Sequence, residues 1–263
     1  MYEKNRRPAR PAAAAPAEET EGQLEGRNAL QEALRSGRTV DKVFIAAGEI
    51  DRGLQRLAAE AKEAGAVVVP VDRRKLDAMS FTHAHQGVIA LAAAHVYYSI
   101  DDILEEAASR GEAPLIVICD ELSDPHNLGA ILRSAECAGA HGVIIPKRRS
   151  VGLTATVAKA SAGAVEYMKV ARVTNISAAI AELKQKGVWV FGTAAEGSIP
   201  MYQADLSGPA AIVIGSEGDG MSQLVRKNCD VMVNIPMKGR ISSLNASAAA
   251  SILFYEALRQ RLG

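Results

Sequence analysis

The chain has 263 residues, of which 48% are hydrophobic and 23% charged, and its 30 basic side chains balance its 30 acidic ones. This is soluble globular composition, with room for one large core or two modest ones. It excludes a membrane-spanning bundle, since no apolar run approaches the roughly 20 residues a spanning helix needs. It also lacks an overall basic excess for a polyanionic partner, which leaves only clustered charge for that purpose.

Residues 1–21 are rich in Pro and Ala and mixed in charge, so they are expected to form a disordered tail. They lack the continuous apolar core of a secretory signal, and a cytoplasmic location is expected. A compact α/β pattern follows. EGRNALQEALRSG places Leu30 and Leu34 on one helical face and stops at Gly37. Residues 42–46 read as a strand, 52–65 as a helix, 66–71 as a strand, 72–79 as a short helix and 87–94 as a third strand. These make a small unit spanning 22–97. The charged stretch 98–113 reads as a linker with a helix around Ile103. From 114 to 263 a second series begins, with short Val/Ile-rich runs at 115–119, 143–146, 188–192, 210–215 and 231–236. Such runs suit strands buried on both faces of a parallel sheet. Helical patterns separate most of them, including 176–187 and a long one from Ser243 to Arg261. The fold class is α/β, with ligands expected at the carboxyl ends of the second series of strands.

Cys119, Cys137 and Cys229 are far apart without a CxxC pair, which argues for buried free thiols rather than a zinc site or disulfide framework. No histidines show metal-ligand spacing, so no metal is expected. Local basic clusters occur at Lys4–Arg10, Arg73–Lys75 and Lys147–Arg149.

Three loops after strands carry the chemistry-bearing residues. In CDELSDPHNLGAILRSAECAG, Asp124 is a good N-cap and Pro125 suits the first helical position. The helix should bury Ile131, Leu132 and Ala135 and expose Arg133 and Glu136. Capping does not explain the Asn127-Leu128-Gly129 sequence just inside it, where Asn and Gly both cost helix stability. The second loop, VIGSEGDGM, places Gly215, Ser216, Glu217 and Gly218 where the backbone can approach a ligand closely. It lacks G-x-G-x-x-G spacing, which counts against a nicotinamide site. The third, NIPMKGRISSLNASAAASI, runs from apolar Ile235, Pro236 and Met237 to Ser243, Leu244 and Asn245, just before a helix of small residues.

In order and spacing these loops resemble the three motifs of the SpoU (TrmH-like) branch of the SPOUT RNA methyltransferases, a resemblance that runs from about Pro114 to the C-terminus. GRNALQEAL and HQGVIAL in the small unit resemble the RNA-binding domain of bacterial 23S rRNA guanosine ribose methyltransferases. The one departure is Ala246 and Ala248 where the family often has Val. The resemblance implies a SPOUT domain with a C-terminal deep trefoil knot, and S-adenosylmethionine held near Thr193, Gly215, Ser216, Gly218, Ile235, Pro236, Met237 and Leu244. It implies in-line methyl transfer to a ribose 2'-hydroxyl of RNA, with catalytic-site residues Arg133, Asn127, Glu217, Ser243 and Asn245. Arg133 is expected to act as a fixed cation, because a guanidinium stays protonated. His83 and His85 read equally as part of an RNA-facing edge or as surface loop. The resemblance also implies a homodimer through the catalytic domain, for which Ile252, Leu253, Tyr255 and Leu258 on the last helix would suit a two-fold contact, although a helix buried within the chain's own core would show the same pattern. Competing readings are the same reaction on tRNA or another rRNA site, and a non-catalytic RNA-binding protein.

Overall fold

The structure, a computed structural model, describes residues 22–263 except 49, 50, 94, 195, 196 and 219. The expected N-terminal tail and the Lys4–Arg10 cluster lie outside the described residues. The first part contains β1 (Gln23–Glu25), α1 (Arg27–Arg35), β2 (Val40–Ala46), α2 (Arg52–Glu63), β3 (Val67–Val71), α3 (Arg73–Met79) and β4 (Val88–Ala92). Its sheet runs β1-β4-β2-β3, with β2 and β3 parallel and the other pairs antiparallel. Alternation along β2 puts Val43 and Ile45 under α1 and α2 with Leu30, Leu54 and Leu57. Phe44 and Ala46 point to the other face, toward Leu76 of α3.

The edge strand β1, too short to show in the sequence pattern, carries Glu25. Its carboxylate accepts bonds from Ser80 Oγ (2.7 Å), Phe81 N (2.8 Å) and Thr82 Oγ1. Burial pushes the carboxyl up, but these bonds outweigh it and hold the pKa at about 2. They pin the turn before β4. His85 in that turn is buried and bonded to Asp77 (2.9 Å) and the Gly87 amide (3.0 Å), so it is a structural residue. His83 is exposed, with φ of 56°.

The second part contains α4 (Ile100–Arg110), β5 (Leu115–Cys119), α5 (Pro125–Cys137), β6 (Gly142–Pro146), α6 (Ala155–Ala160), β7 (Lys169–Val173), α7 (Ile176–Gln185), β8 (Trp189–Thr193), β9 (Ile199–Pro200), β10 (Ala210–Ile214), α8 (Gln223–Asn228), β11 (Val231–Asn234) and α9 (Ala246–Leu262). Its sheet runs β7-β6-β5-β10-β8-β11-β9, and every recorded pair is parallel. One face packs on α5 and α9 through Ile131, Leu132, Leu253 and Phe254. The other packs on α4 and α7 through Ile103, Ile180 and Leu183. The stretch expected as a linker is therefore mostly a helix that belongs to this core, with Ser99 and Asp102 forming a reciprocal N-terminal cap. Strand β7 escaped the sequence pattern because Lys169 and Arg172 interrupt its apolar run. Of the cysteines, Cys119 is buried, with its thiol pushed by burial up to about 12, whereas Cys137 is exposed, contrary to expectation. Among the described residues no helix is long and apolar enough to cross a membrane.

The two sheets meet at a buried charge cluster. Arg172 Nη1 of β7 donates to Asp41 Oδ1 of β2 at 2.5 Å, with both side chains less than a tenth exposed. Tyr97 Oη donates to Asp41 Oδ2 (3.2 Å) and accepts from the Leu153 amide (2.8 Å), and the Arg172 guanidinium lies over the Tyr97 ring.

His141, buried before β6, accepts from the Leu115 amide through Nδ1 (2.9 Å) and contacts Glu112 through Nε2 (3.0 Å). Burial, which outweighs Glu112, lowers its pKa below the ordinary value. The unfolded chain binds that proton more readily, so the stability His141 contributes is complete above about pH 6.5 and is lost as pH falls. The expected result is a thermal midpoint that drops below about pH 6.5, with the drop reduced in His141→Gln. Identical acid limbs in the two proteins would refute this assignment.

Candidate active site at the strand carboxyl ends

The strand order of the second sheet turns outward in both directions from the β5–β10 pair, and the crevice at such a switch point is where open α/β sheets bind ligands. A cavity of about 1080 Å³ opens beside it, at the carboxyl ends of β8, β10 and β11. Of the residues expected to hold a cofactor, Thr193, Gly215, Ser216, Gly218, Ile235, Met237 and Leu244 line it, and Pro236 does not. Strand β11 ends at Asn234, before the expected 236, so Ile235 to Asn245 form an irregular wall. The Thr193 hydroxyl is spent on the Val213 carbonyl (2.9 Å), which leaves that position to act through its backbone. Ser216 and Gly220 exchange backbone bonds of 3.0 and 3.1 Å, folding the loop back over Gly215. A β-carbon on Gly215 would stand 2.3 Å from the Gly220 carbonyl carbon, so only glycine fits.

Each of the three loops contributes one polar side chain to a closed triangle. Asn127 Nδ2 donates to Glu217 Oε1 (3.0 Å), Asn245 Nδ2 donates to the same oxygen (2.5 Å), and Asn245 Nδ2 also donates to Asn127 Oδ1 (2.9 Å). The Ala246 amide adds a third bond to Glu217 Oε1 (3.3 Å). Asn245 Oδ1 meanwhile caps α9 by accepting from the amides of Ser247 (3.0 Å) and Ala248 (3.2 Å). Asn127, inside the first turn of α5, is buried, and its helix-propensity cost is offset by these bonds. Gly129 has a packing reason, because a β-carbon there would lie 2.4 Å from that of Ala160 on α6.

Glu217, Ser243 and Asn245 line the cavity, and Asn127 is bonded directly to its rim. Arg133 is not brought into this group. It lies six residues beyond Asn127, about 240° around α5, on the exposed face with Glu136, and makes no hydrogen bond or ion pair among the described residues. His126 is exposed in the first turn, with its amide bonded to Asp124. On α9, Leu253 is buried in the chain's own core and cannot form an intersubunit contact as expected, whereas Ile252 and Tyr255 are exposed. Sequence reasoning missed Arg226, Asn234, Arg240 and Ile241 as cavity residues. Nothing in their spacing marks them, since Arg226 comes from α8, Asn234 from the end of β11, and Arg240 and Ile241 from irregular backbone.

Two family descriptions match the two parts of the chain. Residues 114–255 match the SpoU rRNA Methylase family, and residues 23–98 match the family described as RNA 2'-O ribose methyltransferase substrate binding. The chain is 48% identical over 236 residues to YacO of Bacillus subtilis, named as a TrmH family tRNA/rRNA methyltransferase, covering 90% of this chain and 94% of that one. It is 43% identical over 240 residues to the 23S rRNA (guanosine-2'-O-)-methyltransferase RlmB of Ralstonia nicotianae, covering 90% and 95%. Among solved structures it is similar to the SpoU methyltransferase AviRb of Streptomyces viridochromogenes in complex with AdoMet, with a TM-score of 0.59, 25% identity and coverage of 91% and 90%. The AdoMet-bound rRNA methyltransferase of Sinorhizobium meliloti gives 0.58, 26%, 92% and 88%. The chain belongs to the SpoU family of RNA methyltransferases.

Proposed function

We propose that this RNA 2'-O-ribose methyltransferase modifies a guanosine of 23S rRNA. The methyl-transfer part of the reading is carried by the Asn127–Glu217–Asn245 triangle, which joins all three loops at one cavity, and the choice of a 23S rRNA guanosine is supported by the 43% identity to RlmB. Residues 22–97 serve as the RNA substrate-binding domain and 114–263 as the methyltransferase domain. The segment from β11 through α9 is the part that passes through a loop to make the trefoil knot of the family.

S-adenosylmethionine is the cofactor, and when bound it supplies an electrophilic methyl group on a sulfonium. The cavity fits it in size and lining, with half-exposed Met237 and Leu244 beside Ile235 for an adenine and main-chain groups of the 215–220 loop for polar contacts. The triangle holds the three loops in one arrangement, so the rate gained by positioning is built in before substrate arrives. Arg133 holds an RNA phosphate and stabilises the charge that develops on the ribose oxygen. Its exposed, unpartnered place on α5, outside the cavity of its own chain, supports a role in the cavity of a second subunit in a homodimer. Ser243 is placed to hold the target nucleotide.

Gly215→Ala should weaken S-adenosylmethionine binding by at least about tenfold in calorimetry, since the loop must open to admit the β-carbon. Unchanged affinity would remove Gly215 from the site. The substrate is tested with radiolabelled cofactor, purified chain, and 23S rRNA transcript, tRNA and ribosomal particles, followed by mapping of ribose methylation. Label at a guanosine of 23S rRNA supports the proposal, label in tRNA alone favours the second reading suggested by the name of YacO, and no label in any RNA refutes both.

A further inference from the structure

Outside the cavity, the face of the first sheet that carries α3 has an unusual charge arrangement. Phe44 on β2 is half-buried, and the ammonium groups of Lys42 and Lys75 both sit 5.9 Å from its ring centroid. Neither has a carboxylate within ion-pair distance among the described residues. The nearby acids are committed elsewhere, Asp41 to Arg172, Asp77 to His85 and Asp72 to the N-terminus of α3. Lys147, from the loop after β6, reaches the same edge, since its Nζ lies 3.1 Å from where a β-carbon on Gly65 would stand. Gly65 is two residues before Val67, the register partner of Lys42.

In a chain of zero net charge, two ammonium groups converging on one ring without an anion mark a place that an external anion would complete. Helix α3 has only seven residues and leaves Val67, Val69 and Leu91 of this face half-exposed beside Phe44. An aromatic floor with cations at its rim is what single-stranded RNA requires, because bases stack on the ring while the backbone phosphates meet the ammonium groups. Arg73 and Arg74 are exposed next to Lys75 and extend the same charge.

We propose that Lys42, Phe44 and Lys75 form an RNA subsite that takes an unpaired nucleotide of the substrate, with Lys42 and Lys75 on its flanking phosphates and Lys147 continuing the track toward the second sheet. This rests on the reading of the chain as an RNA methyltransferase and says where on the first part the RNA lies. The apolar faces of α1 and α2, packed on the opposite side of the sheet, take no part.

The test uses the full chain, a fluorescein-labelled single-stranded RNA 20-mer and unmodified 23S rRNA transcript, with binding measured across a salt series. Lys42→Gln/Lys75→Gln should weaken binding about tenfold near 0.1 M salt and reduce the slope of log affinity against log salt by about 1.4, at about 0.7 per phosphate lost. Phe44→Leu, which keeps the apolar contact with Leu76, should weaken binding about tenfold through loss of stacking, with the salt slope unchanged. Lys62→Gln, on α2, is the control and should bind as the unaltered chain does. Affinity for S-adenosylmethionine and turnover at saturating RNA should stay within about twofold in every variant. Unaltered affinity and slope in the double variant, or an equal loss in Lys62→Gln, would overturn the subsite. If the unaltered chain methylates RNA while the variants bind normally, the subsite alone is wrong. If the unaltered chain neither binds nor methylates RNA, the functional reading fails with it.

Discussion

Arg133→Ala should lower methyl transfer by at least about 100-fold, the scale on which one fixed charge at a developing oxyanion acts, while calorimetry shows S-adenosylmethionine binding within about twofold of the unaltered chain. The separation follows from its position, since Arg133 does not line the cavity that seven of the eight expected cofactor residues surround. If Arg133 serves a second subunit, mixing Arg133→Ala with Glu217→Gln after partial unfolding should restore activity. Statistical pairing then gives one complete site in half of the dimers, about a quarter of full activity. Turnover within tenfold of normal in Arg133→Ala would remove it from the reaction. Inactive mixtures of two dimeric variants would confine its action to its own chain.

Arg172→Ala should produce the largest loss of stability. It leaves Asp41 buried between the two sheets without its cation, and breaking such a pair costs about 3–5 kcal/mol. Burial already pushes the Asp41 carboxyl above its ordinary range even with Arg172 beside it. Without Arg172 that shift grows. A carboxyl with a raised folded pKa is best tolerated protonated, so the deficit should be smaller near about pH 5 and larger near about pH 8. Urea unfolding at the two pH values measures this. A loss below about 1 kcal/mol, or a deficit that shrinks as pH rises, would show that the cluster does not join the sheets as described. The Tyr97 hydroxyl belongs to the same cluster, and burial together with Asp41 pushes it above its ordinary value, so it stays a donor throughout.

The sequence pattern exposed those parts of the fold whose periodicity is clean. The Val/Ile runs are the five central strands of the second sheet, with β5, β6 and β10 buried along their whole length, and the capped helix beginning at Pro125 is visible from Asp124 and Pro125. What escaped has physical reasons. Strand β1 has three residues, β9 has two, and β7 carries Arg172, whose charge is matched by a residue 131 positions away that no local window contains. At the site, Asn127, Glu217 and Asn245 stood out as costly or unusual residues in their local settings, but that they bond to one another is a property of the folded crevice. Cys137 shows the opposite error, since its type suggested burial and helix rotation leaves it exposed, while Leu253 takes the buried one of the two placements its pattern allowed.

Asn245 spends one end of its amide on the first turn of α9 and the other on Glu217 and Asn127. Arg261, one residue before the end of that helix, donates to the carbonyls of Ala113, Pro114 and Gly208, beside the starts of β5 and β10. The crevice therefore cannot be completed while the chain is still being translated through 246–262. The one helix thus ties the crevice at its first turn to the opposite ends of β5 and β10 at its last, and the triangle closes only when α9 docks.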